Sequence, residues 1–312
     1  SPEGLSPRLI KNGYDSYSML NGRVYALPLD PSVQIFLYRT DLFHDAKLCR
    51  AYYERFHENL VVPTTYEQYL HAAEFFTRSC NPDSPTEYGT TMTCGSASVA
   101  ASDFLPFYLS RIDRFGSTPE TLRLDCPEMQ AAMRQYHALE KFSCKQNWWG
   151  DSIQKFAEGK TAMTVIYSNY AAELINSGNS VVVGRVGAAI LPGCKPLLGG
   201  GIVGISRYSQ KAEACKQFFR WYYSADVASL LVRLGGTSPI VDAYEDFQNY
   251  SIFPWMNTSK KSFGLGQRGV KNQTPERFSI PKYEFAVGTA VRNVVQDLMT
   301  PEDASRMAQA LY

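Results

Sequence analysis

Charge of one sign is missing from this chain: 31 Lys plus Arg stand against 30 Asp plus Glu, a net charge of +1. No field of one sign is present to gather nucleic acid or acidic lipid, so polyanion partners are poor candidates. Histidine is scarce, with four in 312 residues, and none sits at metal-ligand spacing; no CxxC occurs either, which excludes the usual structural zinc patterns. Uninterrupted apolar runs of the ~18 to 20 residues that cross a bilayer as a helix are absent. The opening SPEGLSPRLIKNGYD lacks the apolar centre of a secretion signal. There is no GxSxG around Ser96, Ser98 or Ser102, and His44, His57, His71 and His137 lie on expected helices or their caps, outside any nucleophile or metal motif. Catalysis therefore has no support in the motifs.

What is present is enough to fold. Hydrophobic residues make up 45% of the chain, so a large core is available, and the length suggests two domains or one unusually large one. Seven cysteines are scattered at 49, 80, 94, 126, 144, 194 and 215. The odd count argues for a reducing compartment, or for a free thiol if the protein is exported. Aromatic content is 13%, with 20 tyrosines. Most of these rings are expected in the core, but the excess suits a binding surface that is partly apolar and partly wet.

Along the chain, strand and helix patterns alternate. Residues 23–29 and 33–38 are β-branched and aromatic runs broken by Asp30, Pro31 and Ser32, where a chain could cross between domains. Helices are expected at 46–57 and after Pro63, where Thr65 and Gln68 have capping-box spacing and Tyr66, Tyr69, Leu70, Ala73 and Phe76 share a face. Residues 88–93 begin a strand that ends in a small-residue stretch, 94–102, whose exposed backbone could line a cleft. Pro127 opens a helix with Met129, Met133, Tyr136 and Leu139 as its stripe, and a short helix follows at 151–159. Strands are expected at 161–167, 181–191 and 201–206, then helices from 210 and over 225–234, stopped by Gly235 and Gly236. Residues 237–279 read as loop-rich, before helices at 283–299 and 301–312. Without repeats, this alternation predicts an α/β fold with a sheet covered on both faces.

Gly199, Gly201 and Gly204 satisfy GxGxxG, with Asp226 near the spacing of a ribose-binding acid. The context is wrong, because Ile202, Val203 and Ile205 continue as strand and no helix opens before residue 210. The glycines better serve close approach of backbone to a ligand or to a neighbouring strand. Of the adjacent Trp148 and Trp149, one is expected in the core and the other, assigned to Trp149, as a stacking platform in a cleft.

The segment GRVYALPLDPSVQIFLYRTDLF, followed in order by PTTYEQYLHAAEFFTR, NPDSPTEYGTTMT, FAEGKTAM, LPGCKPLLGGGIVGISRYSQKAEACKQFFRWYYS and GGTSPI, resembles the family 1 extracellular solute-binding proteins of ABC importers, the maltose-binding-protein type. The match runs from about Leu5 to the C-terminus. It implies a two-lobed, type II periplasmic-binding-protein-like α/β fold whose crossing strands let the lobes close on a ligand. The expected division is residues 1–30 plus 190–238 for the first lobe and 31–189 plus 239–312 for the second. Relatives carry a further N-terminal α/β stretch, so the first lobe is expected to be incomplete and the leader to lie outside this chain.

The resemblance also implies reversible capture without catalysis, metal or cofactor. A mono- or oligosaccharide would be handed to a membrane permease outside the cytoplasm, in the periplasm or on a lipid-anchored surface. Carried over, the ligand-facing positions are Asp30 and Ser32 at the first crossing, Asp103 and Phe104, and Tyr167, Asn169 and Tyr170 after the FAEGKTAM block. Gly200 and Gly201 follow, then Arg277 and Tyr283 near the returning segment. Relatives commonly place a tryptophan near Asn169 and read GGW at 199–201; both rings are absent here, which weighs against a long oligosaccharide. Two rival readings remain at this point. One is a ligand-sensing domain of a signalling or transcriptional regulator; the other is a glycan-processing enzyme, which would need a carboxylate pair in the cleft.

Overall fold

Strict alternation in SVQIFLYR makes one strand the keel of the molecule. In the computed structural model, which describes residues 8–10, 12, 18–20, 23–112, 122–175, 178–267 and 279–312, strand β4 (Ser32–Arg39) sends Val33, Ile35 and Leu37 into one apolar cluster and Phe36 into another. Successive side chains of a strand point to opposite faces, so Val33, Ile35 and Leu37 on one face and Phe36 with the buried Ser32 and Gln34 on the other give a strand buried on both sides. Before it come β1 (Met19–Leu20) and β2 (Arg23–Val24), paired with each other, and β3 (Leu27–Pro28).

Three helices follow β4: α1 (Thr40–Phe43), α2 (Ala46–Phe56) and α3 (Tyr66–Phe75). The expected capping box is present, with Gln68 N–H donating to Thr65 Oγ1 at 3.2 Å and Thr65 N–H to Gln68 Oε1 at 3.3 Å. Thr65→Ala is expected to cost about 1 kcal/mol, read as a lower urea midpoint at unchanged slope.

Strand β5 (Thr90–Thr93) lies parallel to β6 (Ser143–Gln146), and between them run α4 (Ala97–Leu109) and α5 (Pro127–Glu140). Helix α4 replaces the exposed backbone expected at 94–102. Every residue from Val99 to Leu109 is buried, so this helix has no polar face and left no amphipathic signature. Its interior contains Pro106. After β6 come α6 (Trp149–Ala157) and β7 (Met163–Tyr167).

The remaining strands, β8 (Val186–Ala189), β9 (Leu198–Gly199) and β10 (Ile202–Val203), are shorter than the runs expected at 181–191 and 201–206. Strand β4 is antiparallel to β7 on one side and, on the other, to β9 at its start and β8 at its end. Strand β10 pairs with β3. Helices α7 (Ala212–Tyr222) and α8 (Ala225–Arg233) follow. The segment read as loop-rich holds α9 (Phe247–Ile252) and α10 (Met256–Leu265), and the chain closes with α11 (Ile280–Val295) and α12 (Pro301–Leu311).

The first cluster gathers Tyr69, Phe76, Phe104, Tyr136 and Val291 from helices on one face of β4; the second gathers Ile153, Phe156, Val232, Trp255 and Phe263 on the other. Leu9, Ile10, Leu27 and Tyr222 also belong to the second cluster, so it joins segments from both halves of the expected division. Helix α11 packs directly on α4: a Cβ added at Gly288 would stand 1.7 Å from the carbonyl oxygen of Ala97. Two tyrosines tie α7 and the residue after it to the segment entering β4. The Tyr223 hydroxyl donates to Pro28 O at 2.6 Å, and the Tyr222 hydroxyl donates to Leu29 O. Among the described residues no helix is long and apolar enough to cross a membrane.

Candidate functional site

A cleft of about 280 Å³ opens where these elements meet. Its floor is the start of β4, with Ser32, and the adjoining end of β9, with Gly199 and Gly200; Ser98, Val99 and Ser102 of α4 form one wall. Residues 98 and 102 are one helical turn apart, which puts both hydroxyls on the same face. Trp148, Trp149, Tyr167, Asn169 and Tyr170 form the opposite side, and Glu284 of α11 completes the lining.

The glycines are where they are because nothing larger fits. A Cβ on Gly199 would fall 2.6 Å from the Tyr167 ring and 2.7 Å from Ser32 Oγ. Gly200 has φ +98°, in the left-handed region, and its Cβ would lie 2.2 Å from the Asp30 carbonyl oxygen. This close approach lets Gly201 N–H donate to Asp30 Oδ1 at 2.6 Å. Asp30 therefore acts as a staple between the crossing segment and the glycine turn, and neither it nor Gly201 is part of the cleft lining.

The other expected residues divide into three groups. Ser32, Trp149, Tyr167, Asn169, Tyr170 and Gly200 are brought together in the lining. Asp103, Phe104 and Tyr283 are not: Phe104 is fully buried in the first cluster, Tyr283 is 2% exposed there, and Asp103 is buried outside the lining. Helical phase explains this, since Ser102 faces the cleft and the next residue turns about 100° away from it. Arg277 lies outside the described residues.

The tryptophan pair is also resolved by local geometry. Trp149 opens α6, is 3% exposed and meets the Tyr167 ring edge-on with centroids 5.1 Å apart, whereas Trp148, at the N-cap, is 50% exposed. Both touch the cleft, but the free ring face belongs to Trp148. Burial raises the Tyr170 hydroxyl above its ordinary value, partly offset by a hydrogen bond with the Trp148 side chain. Asn169 Oδ1 is covered and has no hydrogen-bond partner among the described residues. Sequence reasoning missed Trp148, the two α4 serines and Glu284. Serines four apart were a usable signal, but Glu284, a buried acid flanked by Tyr283 and Phe285, left none.

Asp103 has a consequence of its own. Its Oδ2 accepts from the Tyr136 hydroxyl at 2.7 Å and from Thr93 N–H at 3.2 Å. Burial nevertheless pushes its carboxyl up to about 7, against the lowering effect of those two donors. The folded state thus holds a proton that the unfolded chain, with a carboxyl near 4, releases earlier. Stability is expected to be fully present below pH 4 as far as this group is concerned and to fall as pH rises toward 7. Asp103→Asn should flatten that part of a melting-temperature profile between pH 4 and 7; an identical slope in both proteins would refute the assignment.

A family described as bacterial extracellular solute-binding protein matches residues 3–255. Among solved structures, a ribitol-bound ABC transporter solute-binding protein from Agrobacterium radiobacter is similar at a TM-score of 0.78 and 22% identity, covering 98% of this chain and 75% of that one. A D-mannitol-bound counterpart from Agrobacterium vitis has a TM-score of 0.73 and 18% identity, over 99% of this chain and 80% of that one. Maltose-bound MalE3 of T. maritima has a TM-score of 0.72 and 20% identity, with 99% and 81% covered. These similarities establish a two-lobed type II binding-protein fold, as the sequence resemblance implied.

Proposed function

This chain belongs to the bacterial extracellular solute-binding proteins, and we propose that it captures a small carbohydrate-like solute, a monosaccharide or polyol, in the cleft and delivers it to an ABC transporter permease. Its family is one of binding proteins and not of enzymes, and works outside the cytoplasm. The observation that carries the ligand class is the lining itself. One half-exposed indole, Trp148, faces a space edged by the hydroxyls of Ser32, Ser98 and Ser102, the amide of Asn169 and the carboxylate of Glu284.

That combination suits a solute with a C–H face on one side and hydroxyls around its edge. An aromatic ring takes the apolar face, while the hydroxyls replace water at groups that are costly to leave unpaired. The covered Asn169 Oδ1 is such a group: a donor brought within its reach on closure would offset a penalty of about 1–3 kcal/mol. The neighbours bound to ribitol, D-mannitol and maltose support the same class. A volume of about 280 Å³, just under the roughly 300–1,000 Å³ of most small-molecule sites, favours one sugar unit over several.

Closure follows from linkage. A solute touching both sides of the cleft stabilises the closed arrangement only by contacts made there and not in the open one. Thermal-shift titration with ribitol, D-mannitol, D-tagatose and maltose tests the reading. At a concentration 100-fold above Kd a specific ligand adds about 2.7 kcal/mol to stability, enough for a clear rise in melting temperature. At least one of the first three is expected to exceed maltose, and no rise with any of the four overturns the assignment.

A further inference from the structure

Gln34 is completely buried, one step along the strand from the cleft-floor residue Ser32 and on the same face. A neutral amide in that position is destabilising unless both of its ends are paired. Both are: one bond goes to the α4 wall of the cleft and the other to Leu197, which leads into the Gly199–Gly200 floor. Gln34 Nε2 donates to the carbonyl of Ser102 at 2.8 Å, and Leu197 N–H donates to Gln34 Oε1 at 2.9 Å.

Each partner is a group that the backbone leaves open. In an α-helix the carbonyl of residue 102 would accept from the N–H of residue 106, but residue 106 of α4 is a proline and has no N–H. The Gln34 amide fills that vacancy. On the other side, β4 pairs with β9 through Ser32 and Val33 and with β8 from Phe36 onward, so Gln34 stands where the strand changes partners. Its backbone N–H donates to Leu197 O at 3.0 Å and its side chain accepts from Leu197 N–H, extending the ladder up to the Leu198–Gly199 strand.

We propose that Gln34 is a positioning residue for solute binding: its side chain sets the separation between the α4 wall and the Gly199–Gly200 floor. It touches no solute itself. This rests on the reading of the cleft as the solute site, but one arm of its test needs no ligand.

The variants are Gln34→Met, which keeps length and loses both bonds, and Gln34→Met with Pro106→Ala, which returns a helical N–H to the Ser102 carbonyl. Amide hydrogen exchange reads the walls directly. Gln34→Met is expected to speed exchange at least tenfold in residues 98–105 and 197–200 while leaving β5 and β6 unchanged, and Pro106→Ala is expected to restore residues 98–105 only. A uniform rise over the whole chain, or none at either wall, overturns the proposal. In calorimetric titration with the best binder of the ribitol, D-mannitol and D-tagatose set, Gln34→Met should weaken binding at least tenfold per folded molecule, with partial recovery in the double variant. Unchanged affinity in a less stable protein would reduce Gln34 to a structural residue. If the unsubstituted protein binds none of these three and no maltose, the solute reading fails while the exchange experiment still decides whether Gln34 spaces the α4 wall from the floor. Should Gln34→Met not fold, the double variant carries both measurements against the single Pro106→Ala protein.

Discussion

Gly288→Ala is expected to remove about 3 kcal/mol of stability, although alanine is the better helix former by about 1 kcal/mol. The two effects have opposite sign, and geometry decides between them. The added methyl would lie 1.7 Å from Ala97 O and 2.4 Å from Ala97 C, both backbone atoms, so no change of side-chain rotamer relieves the contact. Helix α11 must instead lift off the first turn of α4. Gly264 is the matched control: it lies in α10 with nothing within 4 Å of an added Cβ, and Gly264→Ala should be neutral or stabilising. Denaturant midpoints for the pair settle the matter, and a more stable Gly288→Ala protein would contradict the observed packing of α11 on α4. Because Ser98 lies on that same first turn, solute affinity should fall along with stability.

The second large effect is expected at Gly200→Ala, in binding more than in folding. A left-handed φ costs a residue with a side chain on the order of 1–3 kcal/mol, and here the methyl also meets the Asp30 carbonyl at 2.2 Å. The turn has to shift, and with it the Gly201 to Asp30 hydrogen bond and the floor beneath the solute. Affinity is expected to drop at least tenfold, each factor of ten corresponding to about 1.4 kcal/mol. Gly184→Ala separates the two causes, since Gly184 has φ +74° but open space around it. It should lose a little stability and no affinity. Equal binding by the Gly200→Ala and Gly184→Ala proteins would show that the glycine turn is not part of the site.

Much of the architecture was legible because local rules and tertiary packing agree. Thr65 and Gln68 announced a helix start by chemistry that needs no neighbours, and the β-branched and aromatic run at 33–38 announced a strand. Helix α4 escaped for a physical reason: Ala97, Ser98, Ala100, Ala101 and Ser102 are small, and a helix surrounded on all sides has no apolar stripe to detect. Helix α10 escaped differently: only one face is buried, and two of its four buried residues, Ser259 and Ser262, are polar, so the stripe carries little apolar signal.

The site was half legible. Ser32, Tyr167, Asn169, Tyr170 and Gly200 followed from their place in the order of segments. Asp103 falls one residue from the cleft-lining Ser102, and Trp149 lines the cleft beside the more exposed ring of Trp148, because direction along the chain turns on phase and a linear pattern carries none. Gln34 was invisible for another reason. A glutamine in an apolar strand acquires meaning only when a proline seventy-odd residues on has left a carbonyl in want of a donor.

The two phenols that grip Pro28 and Leu29 have a mechanical implication. With consecutive carbonyls of the entering segment held from the end of α7 and the residue beyond it, a bend between that helix and the segment would have to break both bonds. Any hinge motion of the kind the resemblance implies is therefore expected to fall on the span from Asp30 to Ser32 and its glycine counterpart at 199–200, which would put the joint at the edge of the candidate cleft.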